Sequence, residues 1–206
     1  MVKTGTLEMI CIKHQQTVNN SMSKLASIDH ATMREMNLTL ILDTLRLYAP
    51  ISRAGLALRT RLNKGSITSM VRDLIDARYV CEIETTDLPA EVGRPSINLR
   101  LNPEAGYFIS AEIGVDFVAL IVTDFCLTPV IQRYEQVRTV NAPEQTLQKV
   151  IDLISEIYGQ LQQDGKVIFG IAVGLPGLVD MTDGRLLFAP NLRWQEVDVR
   201  ARLAAQ

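Results

Sequence analysis

Two residues suited to begin helices, Ser52 and Asn63, stand close together in the chain and constrain how its first half can fold. The helix expected from Ser52 offers Leu56, Ala57 and Leu58 for packing, and a turn at Leu62-Asn63 ends it. The helix expected from Asn63, over residues 64–78, has an apolar stripe of Ile67, Met70, Val71, Leu74 and Ile75. Gly65 in its first turn weakens it a little. Ahead of both, Met33, Met36, Leu40, Ile41, Leu45 and Tyr48 recur near a 3.6-residue period. They predict a helix over residues 33–48, stopped by Pro50. Alternating stretches at Tyr79–Glu84 and Ser96–Leu101 then flank a polar loop containing Pro89 and Gly93. Residues 33–101 therefore read as a winged helix-turn-helix.

Such a motif places the start of its second helix near base edges in the major groove. The residues there are Lys64, Ser66, Thr68 and Ser69, with Arg72 one turn on. All are polar or basic and lie off the apolar stripe, which suits base or phosphate contact. Arg53, Arg59 and Arg61 are candidates for flanking phosphates, Arg94 at the wing tip for a minor groove, and Arg100 for the backbone. Charge agrees: residues 1–80 contain 11 Lys and Arg against 6 Asp and Glu, although the whole chain is at −2. The competing reading is a three-helix packing module whose polar face is merely solvated.

Residues 1–32 are mostly polar and read as a flexible tail. A boundary falls at residues 102–106. Beyond it, Tyr107–Ile113, Phe117–Thr123 and Val130–Val137 predict three antiparallel strands joined by short turns. Residues 142–163 are strongly periodic and predict a helix with Pro143 in its first turn. A strand is expected at Val167–Val173, a turn at Gly174–Gly177, a further extended stretch at Leu186–Phe188 and a short helix near Asp198. No run reaches the ~18 apolar residues of a membrane span. Leu7–Ile12, broken by Glu8, is too short for a signal-peptide core. A cytoplasmic location follows as the expectation. Cys11, Cys81 and Cys126 are scattered and supply neither a disulfide framework nor a metal pair. His14 and His30 stand alone as surface histidines.

These residues together resemble a known family. Ser52–Leu62, Asn63–Val80, Gly93-Arg94-Pro95 and Leu101-Asn102-Pro103 with Gly106 look like the start of a ROK-family (repressor, open reading frame, kinase) transcriptional regulator. Gly170 to Asp180, then Gly184, Ala189-Pro190-Asn191-Leu192 and Trp194, match that family's sugar-kinase-like domain. The resemblance implies an actin-like (ribonuclease-H-like) α/β ATPase fold, here partial, for residues 107–206. It also implies that Asn191 hydrogen-bonds a sugar hydroxyl and that Gly177 lies near the sugar pocket.

The departures from the family are informative too. Its kinases carry a phosphate-binding Asp-x-Gly-Gly-Thr after the first strand. Here the stretch is Glu112-Ile113-Gly114-Val115-Asp116. Valine replaces a glycine that lets backbone approach phosphate, and a carboxylate stands where threonine is expected. The family's catalytic aspartate, in an Asn-Asp pair, and its His/Cys zinc site are not found in these 206 residues. Neither a catalytic residue, a metal nor a cofactor is expected, and the chain is not read as an enzyme. The expectation is a regulator, a repressor of sugar-related genes. Its partners would be a double-stranded DNA operator, a sugar or sugar-phosphate effector, and a second copy or a full-length relative. The alternatives are a partner-dependent fragment that modulates a full-length regulator, and a sugar-kinase fragment.

Overall fold

The computed structural model describes residues 7–12, 30–83 and 97–205. They fall into two compact units, residues 17–105 and residues 106–206 with 1–16. The chain opens with strand β1 (Leu7–Ile12), whose partner strand lies in the second half. Helix α1 (His30–Tyr48) follows and ends before the cis Ala49–Pro50 peptide. Strand β2 (Ile51–Ser52) leads into α2 (Arg53–Thr60), capped by the Ser52 hydroxyl, which accepts from the Gly55 N–H at 3.2 Å. A left-handed Arg61 (φ 58°) ends α2.

Asn63 caps α3 (Lys64–Asp76): its side-chain oxygen accepts from the Ser66 N–H at 2.8 Å. The helix stops two residues short of the expected end, because Arg78 turns left-handed (φ 62°) and leads the chain into a strand. Strands β3 (Val80–Ile83) and β4 (Asn98–Leu101) pair antiparallel, and β4 also pairs with β2. The sheet order is β2-β4-β3. The predicted stripe is what this unit buries: Ile67, Met70, Val71 and Leu74 of α3 are buried, as are Ile41, Leu45, Leu56, Val80, Leu99 and Leu101. Each such side chain removed from water stabilises by roughly 1.5–3 kcal/mol. Ile75 is only half-buried.

After a 3₁₀ turn at Pro103–Ala105 the second unit begins. Strands β5 (Tyr107–Gly114), β6 (Phe117–Asp124) and β7 (Pro129–Gln136) form an antiparallel meander. Helix α4 (Pro143–Gln163) then crosses over to β8 (Ile168–Pro176), which pairs parallel with β5. Parallel neighbours need such a crossover. Even-numbered positions of β6 from Val118 to Val122 and odd positions of β5 from Tyr107 to Ile113 point into the core. There they meet Leu147, Val150, Ile154, Ile157 and Leu161 of α4. A second antiparallel sheet holds β9 (Leu178–Asp180), β10 (Arg185–Ala189) and β11 (Trp194–Val197). Helix α5 (Val199–Ala204) follows, capped by the Asp198 carboxylate, which accepts from the Ala201 N–H at 3.3 Å.

Two expectations fail here. The presumed turn at Gly174–Gly177 is strand as far as Pro176, because β1 pairs along this stretch, matching Leu7 with Pro176 and Ile12 with Ile171. For the same reason residues 7–12 of the expected tail form an element of the main sheet, whose order is β1-β8-β5-β6-β7. The expected tail also ends early, since α1 begins at His30.

Candidate nucleic-acid interface

Helix α3 presents two chemically distinct faces. Opposite its buried stripe, Lys64, Thr68, Ser69 and Arg72 are exposed. Lys64, Thr68 and Arg72 are spaced four residues apart, so they form one row along the helix. Ser66 is half-buried, with its N–H held by the Asn63 cap. The Thr68 hydroxyl donates to the Lys64 carbonyl at 2.8 Å and keeps its lone pairs for an outside donor. Gly65 is exposed, and a Cβ there would meet only the Asn63 side chain at 3.4 Å. The first turn of α3 is thus open to close approach.

Around this row the arginines divide by what they touch. Arg61 is exposed in the tight turn between α2 and α3. Arg59 is exposed too, with its guanidinium stacked 3.9 Å from the centroid of the Tyr48 ring. Stacking fixes the plane of the fork and leaves its edge N–H groups able to donate. Arg53 is paired with Glu82 of β3 at 2.6 Å, so this candidate phosphate contact is engaged within the unit. Arg100 is exposed on β4. Arg94 lies outside the described residues. Sequence reading missed Tyr48 as the platform for Arg59. It also missed Arg34, which pairs with Asp73 and so pins α1 to α3. Neither pair has a local sequence signal, since the partners are far apart in the chain.

In the second unit the segment compared above with a phosphate loop is a tight hairpin. Asp116 is left-handed (φ 63°) between β5 and β6. Its N–H donates to the Thr139 hydroxyl at 2.9 Å, and that hydroxyl donates to the Gly114 carbonyl at 2.9 Å. The Thr139 carbonyl accepts from the indole N–H of the buried Trp194 at 2.8 Å and from the Ala142 N–H at 3.2 Å. The Asp116 amide is therefore already bonded within the unit. At Gly114 a Cβ would fall 2.0 Å from the Phe117 ring, so this glycine serves packing.

The candidate sugar residues are placed as follows. Gly177 joins β8 to β9 where β10 comes close: a Cβ there would meet Leu186 at 2.7 Å and the Phe188 carbonyl at 2.8 Å. Asn191 is exposed in the link between β10 and β11. Nearby, the backbone N–H of Thr182 bonds the Asp180 carboxylate and lowers its pKa below the ordinary 3.8. This contribution is present above that value and is lost as pH falls through the lowered one. Among the described residues no three metal-ligating side chains converge, and no helix is long and apolar enough to cross a membrane.

Comparison with known proteins bears on both units. The ROK family model matches residues 108–206. The xylose repressor of Bacillus subtilis (strain 168) is 33% identical over 175 residues, covering 85% of this chain and 44% of that protein. The DNA-binding transcriptional repressor Mlc of Escherichia coli (strain K12) is 27% identical over 135 residues, covering 66% of this chain and 33% of Mlc. A solved structure of a ROK family transcriptional regulator, a homologue of E. coli Mlc, superposes with a TM-score of 0.63 at 22% identity. It covers 84% of this chain and 43% of that one, and it shows the fold. The chain spans less than half the length of each of these relatives.

Proposed function

The chain carries a ROK-family domain and is homologous to the xylose repressors and Mlc; from that premise we propose that it is a DNA-binding transcriptional regulator, a repressor of sugar-related genes. We read residues 30–101 as a winged helix-turn-helix with α3 as the recognition helix. The observation that carries this reading is the exposed row Lys64, Thr68 and Arg72 on a helix whose other face is the core of its unit. Lys64 and Arg61 neutralise phosphates, Arg59 donates to one from its stacked position, and Thr68, Ser69 and Arg72 reach base edges.

The second unit is read as the sugar-sensing part, without kinase chemistry. Support comes from the bonded Asp116 amide, from Val115 and Asp116 themselves, and from relatives that are named as repressors. The sugar class is taken from the xylose repressors, with Asn191 as the residue that bonds a hydroxyl. A sugar that binds one arrangement of the protein better than another would shift the population toward it and so change operator affinity.

The test is binding to random-sequence and selected duplexes across a salt series, beside Arg72→Ala. Sequence-selective, salt-dependent binding that Arg72→Ala weakens supports the regulator. If the folded protein binds no DNA at low salt, autonomous recognition is refuted and a partner-dependent fragment replaces it.

A further inference from the structure

Both helices of the helix-turn-helix open on a base, Arg53 in α2 and Lys64 in α3, and neither has an acidic residue in its first turn. A cation there opposes the helix dipole, so neither base is placed for the sake of its helix. The two openings differ in what faces them. Lys64 is exposed and has no ion-pair partner among the described residues. Arg53 is held by the Glu82 carboxylate at 2.6 Å. Glu82 arrives from the other end of the unit's sheet. It stands opposite Leu99 on β4, which stands opposite Ile51 on β2, so the three residues form one row across the sheet. Leu99 and Ile51 are buried, and this apolar row ends in a carboxylate on an edge strand. Guarding that edge needs only a charge of either sign. An acid that closes on the first residue of α2 does something more specific.

We propose that Glu82 is a built-in competitor of nucleic-acid phosphate, which withholds Arg53 and so sets the unit's sequence-independent affinity for DNA. This rests on the reading of α2 and α3 as the DNA-binding pair. The first helix of such a pair crosses the phosphate backbone, which places its opening arginine for a phosphate. A carboxylate and a phosphate oxygen offer a guanidinium the same kind of charged acceptor, so one excludes the other from the bonded N–H. Phosphate contacts carry affinity without sequence information. Removing the Glu82 charge therefore adds one phosphate contact on every duplex and leaves sequence preference as it was.

The test compares the full chain with Glu82→Gln, Glu82→Ala and Glu35→Gln. Glu35 is exposed on α1 without an ion pair among the described residues, so its variant controls for the change of net charge. An exposed pair contributes little to stability, and both Glu82 variants are expected to fold. On random-sequence duplex they should steepen the salt slope by about 0.9 per bound chain and bind about fivefold more tightly at about 0.15 M salt. Adding Arg53→Ala to Glu82→Gln should abolish the gain, and Glu35→Gln should show none. Glu82 variants that behave like Glu35→Gln, or a gain that survives Arg53→Ala, would overturn the proposal and leave the regulator reading standing. If no form of the chain binds DNA, the regulator reading falls and immobilised heparin decides the proposal. Elution of Glu82→Gln at higher salt than Glu35→Gln, reversed by Arg53→Ala, upholds the withheld arginine; elution at equal salt overturns it.

Discussion

Arg72 is exposed on α3 and has no ion-pair partner among the described residues, whereas Arg53 and Arg34 are both spent on carboxylates of their own unit. Arg72→Ala should therefore weaken binding to the selected duplex by about 1–3 kcal/mol and relax its sequence preference. A titration against matched and mismatched duplexes checks both, and equal loss on every sequence would make Arg72 a phosphate contact. Residues 84–96, which carry Arg94, hold three acidic residues against this one arginine. In the other unit Trp194 is the corresponding anchor, buried and donating to Thr139. Trp194→Phe loses that bond and opens a cavity, at a cost of about 2–4 kcal/mol. Denaturant unfolding followed by a probe in the sheet unit should show the loss. DNA affinity of the remaining folded protein should not change.

At the scale of elements, the helices were the legible part. Their apolar residues recur with one period, and both predicted caps, Ser52 and Asn63, make the bond expected of them. Asn63→Ala should destabilise the helical unit by about 1 kcal/mol, the usual value of an N-cap, and lower its denaturation midpoint with an unchanged slope. The meander was legible for the same reason, because β5 and β6 alternate buried with half-exposed residues. What sequence hid was set by distant partners. β8 reads as a strand ending in a turn until β1 is laid beside it, and β9 and β11 are short strands defined only by β10. The site divided in the same way. The row on α3 follows from helix geometry, whereas Tyr48 under Arg59 and Thr139 on the Asp116 amide are brought in by tertiary structure. Gly177 illustrates the overlap of packing and family pattern: the close approach of β10 alone requires a glycine there. Gly177→Ala should cost about 1–3 kcal/mol through overpacking. A sugar titration that weakened no more than this unfolding explains would leave Gly177 a packing residue.

For the whole molecule the charge argument changes once the units are known. The first 80 residues are strongly basic, but the helical unit as a whole, residues 17–105, holds 11 basic and 10 acidic residues. Net charge therefore does not draw DNA to this unit. Attraction has to come from the local row around α3, where Arg59, Arg61, Lys64 and Arg72 are exposed. That limits how many phosphates one chain can neutralise. With about 3–4 contacts, the logarithm of the binding constant should fall against the logarithm of salt concentration with a slope of about −2.7 to −3.6. Two chains on a two-fold operator would double it. Fluorescence anisotropy on a selected duplex, with stoichiometry measured at high concentration, gives slope and copy number together. Lys64→Ala should reduce the slope by about 1 per bound chain while leaving sequence preference in place. A slope near zero with tight binding would mean that recognition does not run through this row, and the assignment of α3 as the DNA-reading helix would fall with it.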